Sequence, residues 1–200
     1  MELVGVLHWG HGFRDDPLEV LTADMHRLLA VAKARSKRDH AVFLLAYRHG
    51  LRASEIGLLR REHVDFAANR IRSERLKNSL GRDHPLEPDE AQAIRSYLRT
   101  REDSLPCRFM SRNRRPLSRY SLDKLMKRCG VLAKIPGDRH HFHGLKHSIA
   151  VHLAAAGLDV LVIRDWLGHK RIQNTMAYTR LLSTRGDAEV GRAVRSQHVA

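Results

Sequence analysis

The run His143-Gly144-Leu145-Lys146-His147 is followed by Leu167-Gly168-His169 and then, nine positions after His169, by Tyr178. This part of the chain predicts three consecutive helices, over residues 144–156, 160–167 and about 172–182. A glycine follows each of the first two helices, as is usual at helix ends, and Asp159 can cap the second. We therefore expect three successive short helices that carry histidines, a lysine and a tyrosine.

His143 and Lys146 stand at the start of the first of these helices, and their i, i+3 spacing puts both on one helix face. The free N–H groups and partial positive charge of a helix N-terminus attract an anion, so an added cation and imidazole build a phosphate pocket. A capping histidine beside a solvated lysine is the simpler interpretation of this pair alone. The phosphate pocket is favoured because the pair is accompanied by Arg52, Lys77, His169 and Tyr178. One nucleophile among cations and imidazoles suits attack on a phosphodiester.

The formal net charge of +14 on 200 residues indicates an anionic partner, for which nucleic acid is a better candidate than a membrane surface. No stretch approaches the ~20 apolar residues of a membrane-spanning helix. Residues 1–7 lack the basic segment of a signal peptide. Hydrophobic residues make up 42% of the chain, which is enough for one domain with a core. Cys107 and Cys129 form no CxxC pair, which fits free thiols in a reducing cytosol.

The remaining sequence predicts a mainly α-helical fold with a small three-stranded antiparallel β-sheet, an α+β class. The further predicted helices are 23–33 with Thr22 as cap, 39–49, one capped by Ser54, 88–100, and one that Ser118 caps and that ends at Cys129 before Gly130. The predicted strands are 64–66, 70–76 and 82–86. Pro85 suits an edge strand because it donates no hydrogen bond. Residues 1–17 look irregular.

In their order and intervals, these residues resemble the tyrosine recombinase (phage-type integrase) family over roughly residues 18–182. In that family an arginine follows a Gly-Leu, a lysine sits in a β-hairpin and a His-x-x-Arg box opens a later helix. A histidine or tryptophan follows a Leu-Gly, and the nucleophilic tyrosine comes nine residues later. The resemblance implies a catalytic domain of that fold, without metal or ATP. The catalytic residues that it implies are Arg52, Lys77, His143, Lys146, His169 and the nucleophile Tyr178.

The resemblance also implies a role for each residue. Tyr178 would attack the scissile phosphorus and form a 3′-phosphotyrosyl ester. Arg52 and Lys146 would neutralise charge on the non-bridging oxygens. Lys77 would protonate the leaving 5′ oxygen as a general acid.

The histidines are given supporting roles by the same resemblance. His143 would assist proton transfer from the tyrosine hydroxyl, and His169 would hydrogen-bond the phosphate. Glu55 and His147 are expected to lie next to the catalytic residues without contacting the phosphate. There they would orient Arg52 and the helix that begins with the His-x-x-Arg box. A tyrosine that is simply part of the core is the structural alternative for Tyr178.

Lys146 departs from the family pattern, because the last position of the box usually holds arginine. Arginine grips two phosphate oxygens through a planar fork, whereas lysine is a single point charge. Loss of one positioned donor can cost ~10²–10³ in rate. Two hypotheses follow: an enzyme adapted to lysine, or a catalytically weak or silent DNA-binding remnant of an integrase.

Double-stranded DNA is the expected partner, in the cytoplasm and associated with the nucleoid. The loop 106–117 and its border are rich in arginine and are expected to contact the DNA backbone. The arginines are Arg108, Arg112, Arg114, Arg115 and Arg119. The family's N-terminal core-binding domain has no counterpart here, so we expect a catalytic domain alone. The tail 183–200 is expected either to dock on a neighbouring protomer, giving a homo-oligomer on DNA, or to be a floppy polar segment.

Two further interpretations are weaker. Histidines cluster at positions 140, 141, 143 and 147, but the Glu of a His-Glu-x-x-His zinc motif and a CxxC pair are missing, so no metal is expected. Type IB topoisomerases share the chemistry of the tyrosine recombinases. A topoisomerase that relaxes DNA without site preference should not need a docking tail.

Overall fold

The structure, a computed structural model, describes residues 17–73 and 81–180. The helices are α1 (Pro17–Arg35), α2 (Lys37–Arg48), α3 (Ala53–Leu58), α4 (Pro88–Leu98), α5 (Arg119–Leu132), α6 (Gly144–Ala155), α7 (Val160–Leu167) and α8 (Gln173–Arg180). The strands are β1 (Val64–Asp65), β2 (Arg70–Ser73) and β3 (Arg82–Pro85). The predicted mainly α-helical fold with one small sheet is confirmed.

The sheet has the order β1-β2-β3, and both pairs of strands are antiparallel, as expected. Ile71 is the central residue, opposite Val64 on one side and His84 on the other, and all three side chains are buried. Pro85 lies on the edge strand β3, where its missing N–H costs no ladder bond. The predicted end of β2, residues 74–76, lies outside the described residues.

Helix α1 begins at Pro17, six residues before the predicted start at 23. Proline is favourable in the first turn of a helix, because no intrahelical partner is lost there. The Thr22 hydroxyl, predicted as a cap, lies within the helix and donates to the Leu18 carbonyl at 2.8 Å. Pro17 therefore belongs to a helix, and residues 1–16 of the segment predicted to be irregular lie outside the described residues.

Other helix boundaries also differ from the prediction, and two of the differences concern the residue expected to start or end the helix. Ser54 does not cap α3, because the N-cap residue is Arg52. The backbone N–H of Arg52 donates to the Glu55 carboxylate at 2.8 Å. Gly130 lies inside α5, which continues to Leu132. This glycine is required by packing, because a Cβ at position 130 would collide with the buried ring of His140.

The core has two parts. The larger part joins α1–α5 and the sheet, and includes Leu28, Leu45 and Ile94. A smaller cluster packs α6, α7 and α8 against Leu21 of α1, and Tyr178 belongs to it. Within the described ranges, no helix is long and apolar enough to cross a membrane.

A buried ion pair ties α1 to the segment that leads into α6. Nη1 of Arg139 donates to Oδ2 of Asp24 at 2.9 Å, and both residues are less than a tenth exposed. Asp24→Ala removes the carboxylate and leaves the guanidinium charge buried, so we expect a loss of about 3 kcal/mol in the free energy of unfolding. Urea denaturation measures this loss.

The matched control is Asp123→Ala, which removes the partner of the exposed Arg119. Exposed pairs contribute at most about 1 kcal/mol, so this variant should unfold at nearly the wild-type urea concentration. Equal losses in the two variants would show that the buried pair has no special importance for stability.

Candidate active site

The first turns of α6 bring two histidines towards the tyrosine of α8. The Tyr178 hydroxyl and Nδ1 of His147 are 2.6 Å apart. His143, the N-cap residue, presents its ring edge-on to His147, with 4.4 Å between ring centroids. The hydrogen-bond partner of the tyrosine is thus His147, which was predicted only to orient the helix. The i, i+4 spacing shows that the two histidines are neighbours, but not which ring reaches the tyrosine.

Tyr178 is 3% exposed and forms part of the smaller apolar cluster. Burial raises its pKa above the usual value, and the positive charge of Arg52 opposes the shift. The His169 ring stacks at 6.4 Å from the tyrosine ring. The hydroxyl is therefore protonated at neutral pH and lies among imidazoles and near a guanidinium.

Arg52 stands where the turn after α2 enters α3. Its Nη1 donates to Oε1 of Glu55 at 3.2 Å, and Glu55 is almost fully buried. The carboxylate thus contacts both the backbone and the side chain of Arg52, as expected for an orienting residue. About a third of the arginine side chain stays exposed, which leaves part of its fork of donors open to an anion.

His169 follows Gly168, which ends α7 with a φ of 65°. Nδ1 of His169 lies 3.0 Å from the hydroxyl oxygen of Thr175, a residue with no exposed surface. This contact fixes the ring orientation. A role for Thr175 could not be predicted from the sequence, because threonine is common in the first turn of a helix for reasons unrelated to function.

Lys146 is placed differently from the expectation of an open phosphate ligand. The residue is 1% exposed, and its ammonium donates to the Leu167 carbonyl at 2.6 Å. The bond ties α6 to the last turn of α7, just before His169. Helical spacing correctly predicts that Lys146 and His143 lie on one face of α6. That the end of α7 packs over Lys146 depends on tertiary structure and could not be predicted from the sequence.

The pKa of His143 is lowered from 6.5 to about 4. His143 keeps an exposed surface. Desolvation of its ring by the protein atoms packed around it is nevertheless the largest cause, followed by the charges of Lys146, Arg52 and Arg119. Three cations thus surround this imidazole, so the site attracts anions and keeps His143 neutral at pH 7.

The predicted arginine surface divides into two kinds of residue. Arg112, Arg114, Arg115 and Arg119 are exposed. Arg108 is 2% exposed and donates to the Arg61 carbonyl. Burial, followed by the charges of Arg61 and Arg101, lowers its pKa to about 10. Arg108 therefore differs from the expectation of a DNA contact: it lies in the interior.

Two further expectations concern Lys77 and the clustered histidines. Lys77 lies outside the described residues, so its position stays a prediction. Within 17–73 and 81–180, no group of three or more His, Cys, Asp or Glu side chains is placed to hold a metal ion. His140 bonds to the Ile135 carbonyl at 2.7 Å, away from the other histidines.

Residues 19–185 match the model of the phage integrase family. The type 1 fimbriae regulatory protein FimE of Escherichia coli (strain K12) is 36% identical over 151 residues, which cover 73% of this chain and 76% of FimE.

Solved structures show the same fold. The XerA recombinase superposes with a TM-score of 0.71 at 22% identity, over 88% of this chain and 63% of that one. The XerH recombinase, bound to a palindromic difH substrate after cleavage, superposes with a TM-score of 0.72 at 17% identity, over 84% of this chain and 50% of XerH. This chain thus spans less than two thirds of either solved recombinase. On its family match and its similarity to FimE, the chain belongs to the phage integrase family of tyrosine recombinases, which cleave and rejoin DNA.

Proposed function

We propose that this chain is a site-specific recombinase in which Tyr178 cleaves one strand of double-stranded DNA and becomes covalently joined to it. The observation that carries the proposal is the 2.6 Å contact between the Tyr178 hydroxyl and Nδ1 of His147. The phenolic oxygen bonds to phosphorus as the 5′ oxygen leaves. The phosphotyrosyl ester conserves the energy of the broken bond, so attack by a 5′ hydroxyl rejoins DNA without ATP.

His147 is the proposed acceptor of the tyrosine proton. The raised pKa of Tyr178 means that the hydroxyl must release its proton as it attacks. Nδ1 of His147 can take this proton only if it carries none itself, so its neutral ring must be protonated on Nε2. His143 is proposed to take the supporting part, because its ring packs edge-on against the ring of His147 and restricts its orientation.

The phosphate oxygens are proposed to meet Arg52 and His169. Glu55 fixes the arginine, whose remaining N–H groups can bind non-bridging oxygens. If the Thr175 hydroxyl donates to Nδ1 of His169, the neutral ring carries its proton on Nε2 and can donate it to phosphate. Protonation of the leaving oxygen is proposed for Lys77, on its position in the sequence and the family resemblance alone.

Lys146 is proposed to act as a structural tie between α6 and α7. One of its three N–H groups is used on the Leu167 carbonyl, in a buried position. The same observation favours a second candidate function, a catalytically silent DNA-binding protein. An ammonium held by a backbone carbonyl neutralises less charge on a phosphate than an arginine fork at the same place.

The surface proposed to follow the DNA backbone is a basic cleft of about 820 Å³ between α5, the start of α2 and the loop before α5. Its exposed cations are Arg35, Arg112, Arg114, Lys124 and Arg128. Arg119, at the start of α5, lies close enough to His143 to lower its pKa, so basic residues run from the cleft to the active site. We therefore propose that phosphates next to the cleaved one enter this cleft.

Assembly and location are proposed with the same function. Recombination joins two DNA sites, so at least two copies of the chain would act together. The apolar residues of the tail 183–200 are proposed to dock on a neighbouring copy; they lie outside the described residues. The net charge of +14 supports an association with the nucleoid.

Covalent trapping tests the proposed nucleophile. Nicked duplexes, tiled across the DNA that flanks the gene, are incubated with the protein, and a denaturant-resistant protein–DNA band is measured. Wild type should form the adduct, and Tyr178→Phe should form none. His147→Gln should slow adduct formation by ~10²-fold or more, because it removes the proton acceptor. His143→Gln should slow it less, and the reverse order would contradict the exchanged roles of the two histidines.

Lys146→Arg distinguishes an active enzyme from a silent one in the same assay. An adduct with wild type means that lysine suffices. If Lys146→Arg forms the adduct and wild type does not, the wild-type protein is folded but its active site is inactive. An adduct that persists in Tyr178→Phe would disprove the assignment of the nucleophile.

The basic cleft is tested by the salt dependence of DNA binding. In the double variant Arg112→Gln/Arg114→Gln, the slope of log K against log salt should fall by ~2, because each lost phosphate contact removes about 0.9. The matched control Lys33→Gln/Lys134→Gln removes two exposed charges outside the cleft and should leave the slope unchanged. Equal effects of the two double variants would show that only the net charge matters.

NMR titration tests the electrostatics of the site. The ring protons of His143, assigned by their loss in His143→Gln, should titrate with a midpoint well below 6.5, because its pKa is lowered. Between pH 6.5 and about 4, His143 is protonated in the unfolded chain but neutral in the folded chain. The free energy of unfolding therefore decreases as pH falls through this window. The His143→Gln variant should therefore lose less stability there than wild type. A midpoint at 6.5 would contradict the arrangement of cations around the ring.

A further inference from the structure

Three buried polar side chains and the half-buried Trp166 form a cluster that the proposed mechanism does not use. We call His49, His84, Glu90 and Trp166 the imidazole cluster. His49 and Glu90 are 1% exposed, and His84 has no exposed surface. Polar groups are costly to bury, and apolar residues of similar volume often give equal or greater stability. The cluster therefore calls for an explanation besides stability.

The contacts within the cluster are close: the two histidines share a hydrogen bond, and His49 and Glu90 lie at ion-pair distance. Nδ1 of His49 lies 3.1 Å from Nδ1 of His84, and Nε2 of His49 lies 3.0 Å from Oε1 of Glu90. The His84 ring packs on Trp166 with 4.1 Å between centroids. The indole N–H of Trp166 donates to the Arg48 carbonyl at 2.9 Å.

These contacts constrain the histidines. Of two facing Nδ1 atoms, one must carry a hydrogen and the other must accept it. The Glu90 carboxylate favours a proton on Nε2 of His49, which in a neutral ring leaves Nδ1 as acceptor for N–H from His84. Glu90 is itself fixed, because Oε2 accepts from the Glu87 backbone at 2.9 Å. Each ring therefore has a fixed orientation.

The cluster joins the elements that carry two of the proposed phosphate ligands. His49 is the C-cap of α2 and precedes Arg52 by three residues. Trp166 lies in the last turn of α7 and precedes His169 by three residues. His84, on β3, fills the space between the two and contacts both. The distance between Arg52 and His169 thus depends on this packing.

The intervening turn leaves little room for adjustment. Gly50 has a φ of 58°, and a Cβ added there would lie 2.6 Å from the Leu167 side chain. The turn after α2 thus rests directly on the end of α7. A shift of His49 or Trp166 would move Arg52 or His169 with it.

We infer that His49, His84 and Trp166 are positioning residues that set Arg52 and His169 at the spacing needed to hold one phosphate. This inference rests on the proposed function. The hydrogen-bonded rings permit one arrangement, whereas an apolar filling would allow several of similar energy. The cluster thereby acts on the reaction through Arg52 and His169, without contact to DNA.

The test compares two variants on two substrates. His84→Phe keeps an aromatic ring against Trp166 but removes the bond to His49. Trp166→Phe keeps a ring against His84 but removes the bond to the Arg48 carbonyl. One nicked duplex carries a normal scissile phosphate, and the other carries a methylphosphonate, in which a methyl group replaces one charged oxygen. Because the second substrate has less charge to neutralise, it depends less on Arg52.

Both variants should cleave the normal phosphate ~10–100-fold more slowly than wild type, because a misplacement of about 1 Å can cost ~10²-fold in rate. On the methylphosphonate, each should fall less than ~3-fold below wild type. Arg52→Ala serves as reference and should show the same selective defect. Leu28→Ala, a cavity in the core away from the cluster, should not distinguish the two substrates.

Thermal unfolding confirms that the variants compared are folded at the assay temperature. Equal slowing of both substrates by His84→Phe and Trp166→Phe would overturn the positioning role and leave the cluster as core packing. Wild-type rates in both variants would overturn it as well. Failure of the wild type to form an adduct with either substrate would instead overturn the proposed function, and the inference with it.

Discussion

The bond from the Lys146 ammonium to the Leu167 carbonyl, 2.6 Å long and buried, is the interaction on which the arrangement of the site depends. It fixes the start of α6, with His143 and His147, against the end of α7, where His169 follows. Tyr178 reaches His147 only because α8 packs on α6 in this arrangement. A buried ammonium without such an acceptor would be strongly destabilising, so any other packing of α6 against α7 would be less stable.

The same bond explains how a lysine can occupy the box position of a family that usually has arginine there. A guanidinium is broad and planar and presents five donors, so it can bond a carbonyl and still present an edge to phosphate. An ammonium is compact, and here it is covered by the end of α7. The positive charge stays near the site, where it lowers the pKa of His143, but the fork is lost. In the proposed mechanism, Arg52 therefore supplies most of the directional contact with phosphate.

The sequence predicted the kind of each element well, because helical periodicity, capping residues and glycine stops are local signals. Pro85 on an edge strand and Asp159 as a cap follow from local chemistry alone. Gly130 was read as a helix end because its reason for being glycine, the ring of His140, is ten residues away. Arg108 was expected at the surface, and nothing local indicated that Phe66 and the Arg61 carbonyl enclose it. The contact of Tyr178 with His147 instead of His143 has the same origin: helix spacing defines a face, and tertiary packing decides which ring on that face meets Tyr178.

The balance between rigidity and stability also differs between the two parts of the molecule. The larger core is apolar, and contacts of this kind have little directional preference. Next to the elements that carry Arg52 and His169, the chain instead buries two imidazoles and a carboxylate against a half-buried indole, and each of these groups makes a hydrogen bond. Catalysis by charge neutralisation demands fixed donors, because a donor that must reorient during the reaction gives back part of its stabilisation. A polar cluster that permits one geometry suits that demand better than a more stable apolar core that permits several.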